Sequence, residues 1–167
     1  ERLRTIRNSG QRLLGVVNDL LDLSRVEAGR LELRPAPVEL HELCDEIVML
    51  LGDRARQQGL DLRLDLEPRR PFWVETDGPR LTQVLINLVG NALKFTSRGH
   101  VTLQVTREAA TPDTVTLRFA VVDTGCGIPT EEQAKLFQPY TQLEGGLTSD
   151  TPGSGLGLSI SRRLVAL

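Results

Sequence analysis

Apolar and polar positions follow distinct rhythms along the chain, and each rhythm predicts its own kind of element. From Glu1 to Ala28 the residues Ile6, Leu13, Val17, Leu20 and Leu21 keep a near-heptad stripe, flanked by Leu3, Leu14 and Val16. So wide an apolar face predicts one long helix packed on other helices, stopped at Gly29. Leu31, Leu33 and Val38 suggest a short strand interrupted by Pro35 and Pro37. Leu40, Leu43, Ile47, Leu50 and Leu51 fall on one side of a helix over Glu39 to Arg56, with His41 a surface residue of its first turn. Leu60 to Leu66 alternates apolar and charged residues, the signature of a half-buried strand. A turn over Glu67 to Pro71 leads to a short strand, Phe72 to Thr76. The central helix runs from Asp77, its N-cap, to Thr96, with Pro79 in the first turn and Leu81, Leu85, Leu88, Ala92 and Phe95 as its apolar stripe. Val101, Leu103 and Val105 alternate, as do Val115, Leu117, Phe119 and Val121 beyond a turn at Ala109 to Thr114, which predicts a hairpin ending at Asp123. Thr130 and Gln133 form a capping box for a short helix through Leu136. A Gly-, Ser-, Thr- and Pro-rich loop over Glu144 to Gly153 precedes a last helix, capped by Ser154 and burying Leu156, Leu158, Ile160 and Leu164. The sum is an α+β chain, a two-layer α/β sandwich with helices on one face of a mixed or antiparallel sheet.

Composition narrows the classes. A chain of 167 residues builds one core plus an appendage, and a formal charge of −2 gives no reason to expect nucleic acid or an anionic membrane as partner. No apolar run approaches the roughly 20 residues of a membrane span, and no signal-peptide pattern opens the chain. Cys44 and Cys126 are too few and too far apart for a disulfide framework or a zinc site. A reducing, cytoplasmic setting is expected.

The central helix carries a second stripe. Gln83, Asn87 and Asn91 follow at four-residue steps, with Lys94 three further on, so the four stack on one face. Carboxamide oxygens suit a metal, an ammonium suits a phosphate, and a solvated face would more often carry Glu and Lys. Downstream come Asp123-Thr-Gly-Cys-Gly-Ile-Pro129, Leu136-Phe-Gln-Pro-Tyr-Thr-Gln142 and Gly153-Ser-Gly-Leu-Gly-Leu158. A carboxylate only accepts hydrogen bonds and adenine's amino group only donates, so Asp123 at a strand end suits adenine. Gly125 and Gly127 let backbone pass close to a flat base. Gly153, Gly155 and Gly157 at a helix start suit an anionic chain.

In this order the four segments resemble the N, G1, F and G2 boxes of the histidine protein kinases, members of the wider Bergerat-type ATPases. The resemblance covers nearly the whole chain. It implies the Bergerat sandwich, ending before the last two strands of that fold. It also implies a division into 1–29, the second helix of a dimerisation and phosphoacceptor hairpin whose first helix is absent, and 30–167, the ATP-binding catalytic domain. The implied cofactors are ATP and Mg2+. The implied nucleotide site comprises Asn87, Asn91, Lys94, Phe95, Asp123, Gly125, Gly127, Ile128, Gly153, Ser154, Gly155, Leu156 and Gly157. Within it Asn91 and Asn87 hold the metal, and Asn87 and Lys94 serve the transfer itself. The phosphoacceptor histidine lies outside this chain, since neither His41 nor His100 has a hairpin setting. ATP-hydrolysing relatives carry a water-activating Glu where this chain has Asn87, which cannot act as a general base, so transfer is favoured over hydrolysis.

The resemblance further implies a homodimer, or a heterodimer of kinases, through the N-terminal helix, and a response-regulator receiver domain as partner. The parent would be a bacterial sensor, membrane-bound or not, with this fragment in the cytosol and touching no membrane. The lid between the F and G2 boxes departs from the pattern: Glu144 and Asp150 stand where relatives have basic residues, Tyr140 replaces Phe, and Pro152 precedes Gly153. An acidic lid opposes charge stabilisation of a transferring phosphoryl group. It leaves open a second reading, a weakly catalytic or non-catalytic signalling module acting by helix pairing with another kinase.

Overall fold

The computed structural model describes residues 28–141 and 155–167, together with residues 10, 13–15, 17–18, 20–22 and 24–25. Two compact units are distinguished. Arg34–Pro129 forms the larger, and residues 130–141 and 155–167 belong with the N-terminal stretch in the other.

In the larger unit the elements are β1 (Ala36–Glu39), α1 (Leu40–Gln57), β2 (Asp61–Leu66), β3 (Trp73–Thr76), α2 (Gly78–Phe95), β4 (His100–Ala110) and β5 (Val115–Asp123). The main sheet has the order β2-β4-β5, with β2 parallel and β5 antiparallel to β4. The register explains its core. Leu64, Leu103 and Val121 lie abreast, as do Leu66, Val105 and Phe119, so the period-two alternation of three strands builds one apolar face. Leu40, Leu43, Cys44, Ile47, Leu51 and Ala55 of α1 and Leu85, Val89, Ala92 and Leu93 of α2 pack onto it. Burying a side chain such as Leu103, fully enclosed here, stabilises the fold by about 1.5–3 kcal/mol. The architecture is α+β with a mixed sheet, as expected.

Several expectations are corrected. Of the expected first strand only Val38 is in one, Ala36–Glu39, which pairs with β3 in a separate antiparallel ribbon, whereas Leu31 and Leu33 precede it. Pro37 sits within it opposite Glu75, tolerated because a two-stranded ribbon leaves its missing N–H on an edge. His41 is buried rather than on the surface. Its Nδ1 donates to Glu39 Oε1 at 3.1 Å. On α2 the buried arc is Val84, Leu85, Val89, Ala92 and Leu93, whereas Leu81 and Leu88 are half-buried and Phe95 is exposed. The hairpin is as expected, with β4 running through to Ala110 and an irregularity between Arg107 and Ala109.

In the second unit, the described residues between 13 and 25 are helical, and Leu13, Leu14, Val17, Leu20 and Leu21 are exposed. Leu3, Ile6 and Val16 lie outside the described residues. Ala28 N–H donates to Ser24 O and Arg30 N–H to Arg25 O around Gly29 in the left-handed region, which ends the helix where expected. The short helix α3 is a single turn, Thr130–Gln133, and does not reach Leu136. Beyond it the backbone closes i→i−3 bonds, Leu136 to Gln133 and Gln138 to Lys135, a tighter winding that ends the α-helix. The last helix α4 is Gly157–Val165 with Leu156, not Ser154, at the N-cap position and no side-chain cap bond. Leu156, Ile160 and Leu164 are buried with Ser159 and Ser161, while Leu158 is only half-buried. Among the described residues no helix is long and apolar enough to cross a membrane.

Candidate functional site

The polar stripe stands on α2, whose frame is fixed at both ends. Asp77 caps the N-terminus, its carboxylate accepting from Arg80 N–H at 3.1 Å and from Arg34 N–H at 2.8 Å. Lys94 lies in the last turn, where a cation complements the helix dipole. Along the stripe Arg80 Nη1 donates to Gln83 Oε1 at 2.7 Å, and Asn91 Nδ2 donates to Asn87 Oδ1 at 3.4 Å. The four-residue spacing thus brings the two carboxamides together. Because Asn91 enters that bond through its nitrogen, its oxygen, the atom a hard cation takes, is left out of it. Lys94 Nζ stands 5.1 Å from the centroid of the Phe95 ring.

The second group forms at the end of β5. Leu62 and Val101 lie in one row with Asp123, so the carboxylate takes the place of a third apolar residue at the end of the helix-covered face. It is exposed there. Its Oδ1 accepts from Gly125 N–H at 2.8 Å, which turns the chain back toward α2. A Cβ added at Gly125 would lie 2.6 Å from Phe95 O and 2.8 Å from Asp123 Oδ1, so only glycine fits between the helix end and the carboxylate. The structure therefore joins Phe95 and Asp123 through Gly125. Gly127, in open space, and Ile128, exposed, continue the loop.

Sequence reasoning missed Thr124. Its Oγ1 accepts from His100 N–H at 3.0 Å and is within 3.1 Å of Arg98 O, tying the loop after β5 to the turn between α2 and β4. The signal was available in the Asp-Thr-Gly triplet, but a hydroxyl 24 residues distant from its partner leaves no periodic trace. Thr96, which closes α2, was likewise passed over. Its side chain is 5% exposed and its Oγ1 meets no hydrogen-bond partner among the described residues.

In the other unit, Gly155 and Tyr140 share a close backbone approach. Tyr140 N–H donates to Gly155 O at 3.0 Å, and a Cβ on Gly155 would come within 3.0 Å of the Tyr140 backbone. Arg162 stacks on Phe137 at 5.6 Å from its centroid. Leu156 is buried and Gly157 opens α4. Gly153, Ser154 and the stretch 142–152, including Glu144 and Asp150, lie outside the described residues.

The donor set fits the groups it would serve. A carboxylate accepts from an amino group, glycine leaves room for a flat ring, and carboxamide oxygens with an ammonium suit magnesium and phosphate. Among the described residues no cluster of three or more His, Cys, Asp or Glu is placed to hold a metal, so such an ion would rest on carboxamides and phosphate oxygens. Neither thiol adds to this set: Cys44 is buried, its thiol pushed up to about 11 by burial and then by the nearby charges of Asp45 and Glu39, and Cys126 is exposed in the loop.

Residues 76–167 match the family described as histidine kinase-, DNA gyrase B-, and HSP90-like ATPase. The signal transduction histidine-protein kinase BarA of Escherichia coli (strain K12) is 39% identical over 165 residues, 99% of this chain and 18% of BarA. The chain thus spans less than a fifth of that relative. Full-length ShkA in complex with AMPPNP is similar at a TM-score of 0.78 and 34% identity, over 99% of this chain and 33% of that one. The catalytic domain of the histidine kinase ThkA matches at a TM-score of 0.61 and 32% identity, over 79% of this chain and 81% of that one. ThkA in complex with the response regulator protein TrrA matches at a TM-score of 0.65 and 28% identity, over 98% of this chain and 42% of that one.

Proposed function

The chain belongs to the histidine kinase-, DNA gyrase B- and HSP90-like ATPases, as a sensor-kinase ATP-binding domain, and from that premise we propose that it binds ATP with magnesium and delivers the γ-phosphoryl group to a histidine. The observation that carries this reading is the Gly125 junction. A loop pressed against the Phe95 carbonyl presents the Asp123 carboxylate at the end of the apolar face. In this reading Asp123 accepts from the adenine amino group, Gly125 and Gly127 leave room for the ring, and Phe95 and Ile128 flank it. Asn91 and Asn87 offer oxygens to magnesium, and Lys94 offers its charge to the phosphates. Gly153, Ser154, Gly155, Leu156 and Gly157 supply backbone N–H groups to the phosphate chain. Magnesium, when bound, would neutralise phosphate charge.

The chemistry assigned to these residues is positioning. An imidazole nitrogen attacks the γ-phosphorus, the nitrogen–phosphorus bond forms as the bond to the bridging oxygen breaks, and ADP leaves with that electron pair. Asn87 offers no base to activate water, which favours transfer over hydrolysis. Lys94 stabilises the charge that develops on the phosphates. His41 is ill-suited as the acceptor, since it is buried with Nδ1 committed to Glu39. By the resemblance the acceptor is assigned to a hairpin helix preceding residues 1–29, and the exposed Leu13, Leu14, Val17, Leu20 and Leu21 support residues 1–29 as a pairing surface for a homodimer or kinase heterodimer. Residues 30–167 are the catalytic domain. Relay to a receiver-domain aspartate belongs to the same reading, supported by the likeness to ThkA in complex with the response regulator protein TrrA, and the chain would work in the cytosol.

Asp123→Asn tests the site. Replacing an acceptor by a group that also donates should weaken AMPPNP binding by about 1–3 kcal/mol in calorimetry. Unchanged affinity would remove Asp123 from the site.

A further inference from the structure

We propose that Thr96 is a specificity-determining residue of the nucleotide site, its hydroxyl completed by a ring nitrogen of the purine, directly or through one water. This rests on the nucleotide reading above and adds a residue to it. The starting observation is an anomaly: Thr96 is 5% exposed, and its Oγ1 is buried without a hydrogen-bond partner among the described residues. Leaving a buried hydroxyl unsatisfied is unfavourable, and valine would fill the same space without that cost. A hydroxyl placed there calls for a partner beyond the described residues, and a bound ligand is one that can supply it.

Its position says which one. Thr96 closes α2 directly after Phe95, whose carbonyl oxygen abuts Gly125, two residues from Asp123. The backbone N–H of Thr96 is already taken by Ala92 O at 3.0 Å, so the hydroxyl is its remaining donor. The hydroxyl of the loop after β5, Thr124 Oγ1, is committed to His100 N–H and the Arg98 carbonyl. Adenine presents its amino donor between two ring-nitrogen acceptors, N1 and N7. Asp123 can meet only the donor, because a carboxylate has no proton to give. Thr96 supplies the complementary donor for an adjacent acceptor. Guanine reverses part of this pattern, with a carbonyl in place of the amino group and a protonated N1, so the two residues together favour adenine.

The test is a calorimetric titration of the whole chain and its Thr96→Val and Thr96→Ser variants with AMPPNP and with ATP analogues in which N1 or N7 is replaced by carbon. Thr96→Val should bind AMPPNP about tenfold more weakly, the loss of one hydrogen bond. Without ligand it should melt at or above the wild-type temperature. Thr96→Ser, which keeps the hydroxyl, should bind within about threefold of wild type. One of the two carbon-substituted analogues should cost wild type about tenfold and cost Thr96→Val nothing further. Equal AMPPNP affinity of Thr96→Val and wild type overturns the proposal, as does a Thr96→Ser variant as weak as Thr96→Val. Should Thr96→Val fold poorly, the analogues decide on wild type and Thr96→Ser alone: if neither ring nitrogen matters to them, the proposal fails while the nucleotide reading stands. A wild-type chain that binds no AMPPNP removes both.

Discussion

Gly125 is held by two neighbours at once, the Phe95 carbonyl oxygen and the Asp123 carboxylate, each within 3 Å of where a Cβ would stand. One of those atoms is backbone at a helix end and cannot swing away. Gly125→Ala must therefore displace the loop from α2. The expected result is a loss of about 1–3 kcal/mol of stability, in the range of overpacked sites, with a larger proportional loss of AMPPNP affinity because Asp123 moves with the loop. Thermal unfolding and calorimetry on one sample read both, and a variant that keeps wild-type melting and affinity would contradict the contact. Asp123 itself was legible in the sequence, since the step of two through Val115, Leu117, Phe119 and Val121 reaches it as the next residue on the same face. What the sequence hid was the reason for Gly125, which lies in a contact with a residue 30 positions earlier.

Glu39 illustrates the same limit for an element. Periodicity locates α1 to within a residue of its ends, but it cannot show that Glu39 both caps the helix and secures the chain beyond β2. Its carboxylate accepts from Glu42 N–H at 2.8 Å, from Phe72 N–H at 2.9 Å and from His41 Nδ1 at 3.1 Å. The Phe72 bond above all, with those from Glu42 and His41, holds the carboxyl at about 2 against its ordinary 4.5, although burial opposes the shift. A depressed carboxyl pKa stabilises the fold above the unfolded-state value and loses that effect as the pH falls through the folded one. The melting-temperature gap between wild type and Glu39→Gln should accordingly be full above about pH 4.5 and shrink toward pH 2. A gap independent of pH would contradict the account. The helix α2 teaches a related lesson. Its ends and polar stripe were readable, but its buried arc was misplaced, because α2 packs against both α1 and the sheet and so buries Val84, Val89 and Leu93 instead of centring on Leu81, Leu88 and Phe95.

At the scale of the molecule, the alternation of apolar residues was enough to give the α+β class and the β4–β5 hairpin. The separation of β1 and β3 into their own ribbon and the parallel pairing of β2 with β4 were not readable, since both join strands distant in sequence. The two halves of the proposed nucleotide site were visible as residue types, two carboxamides and a lysine on α2 and a carboxylate between glycines after β5. Their function stands or falls on whether the chain takes up a magnesium nucleotide. The most direct measurement is a calorimetric titration of the chain with AMPPNP, with and without magnesium, repeated on Asn91→Ala. The account predicts saturable binding by wild type that weakens when magnesium is withheld, and an Asn91→Ala chain that folds normally but has lost that dependence. Absence of binding by wild type, or an Asn91→Ala variant with undiminished magnesium dependence, would contradict it.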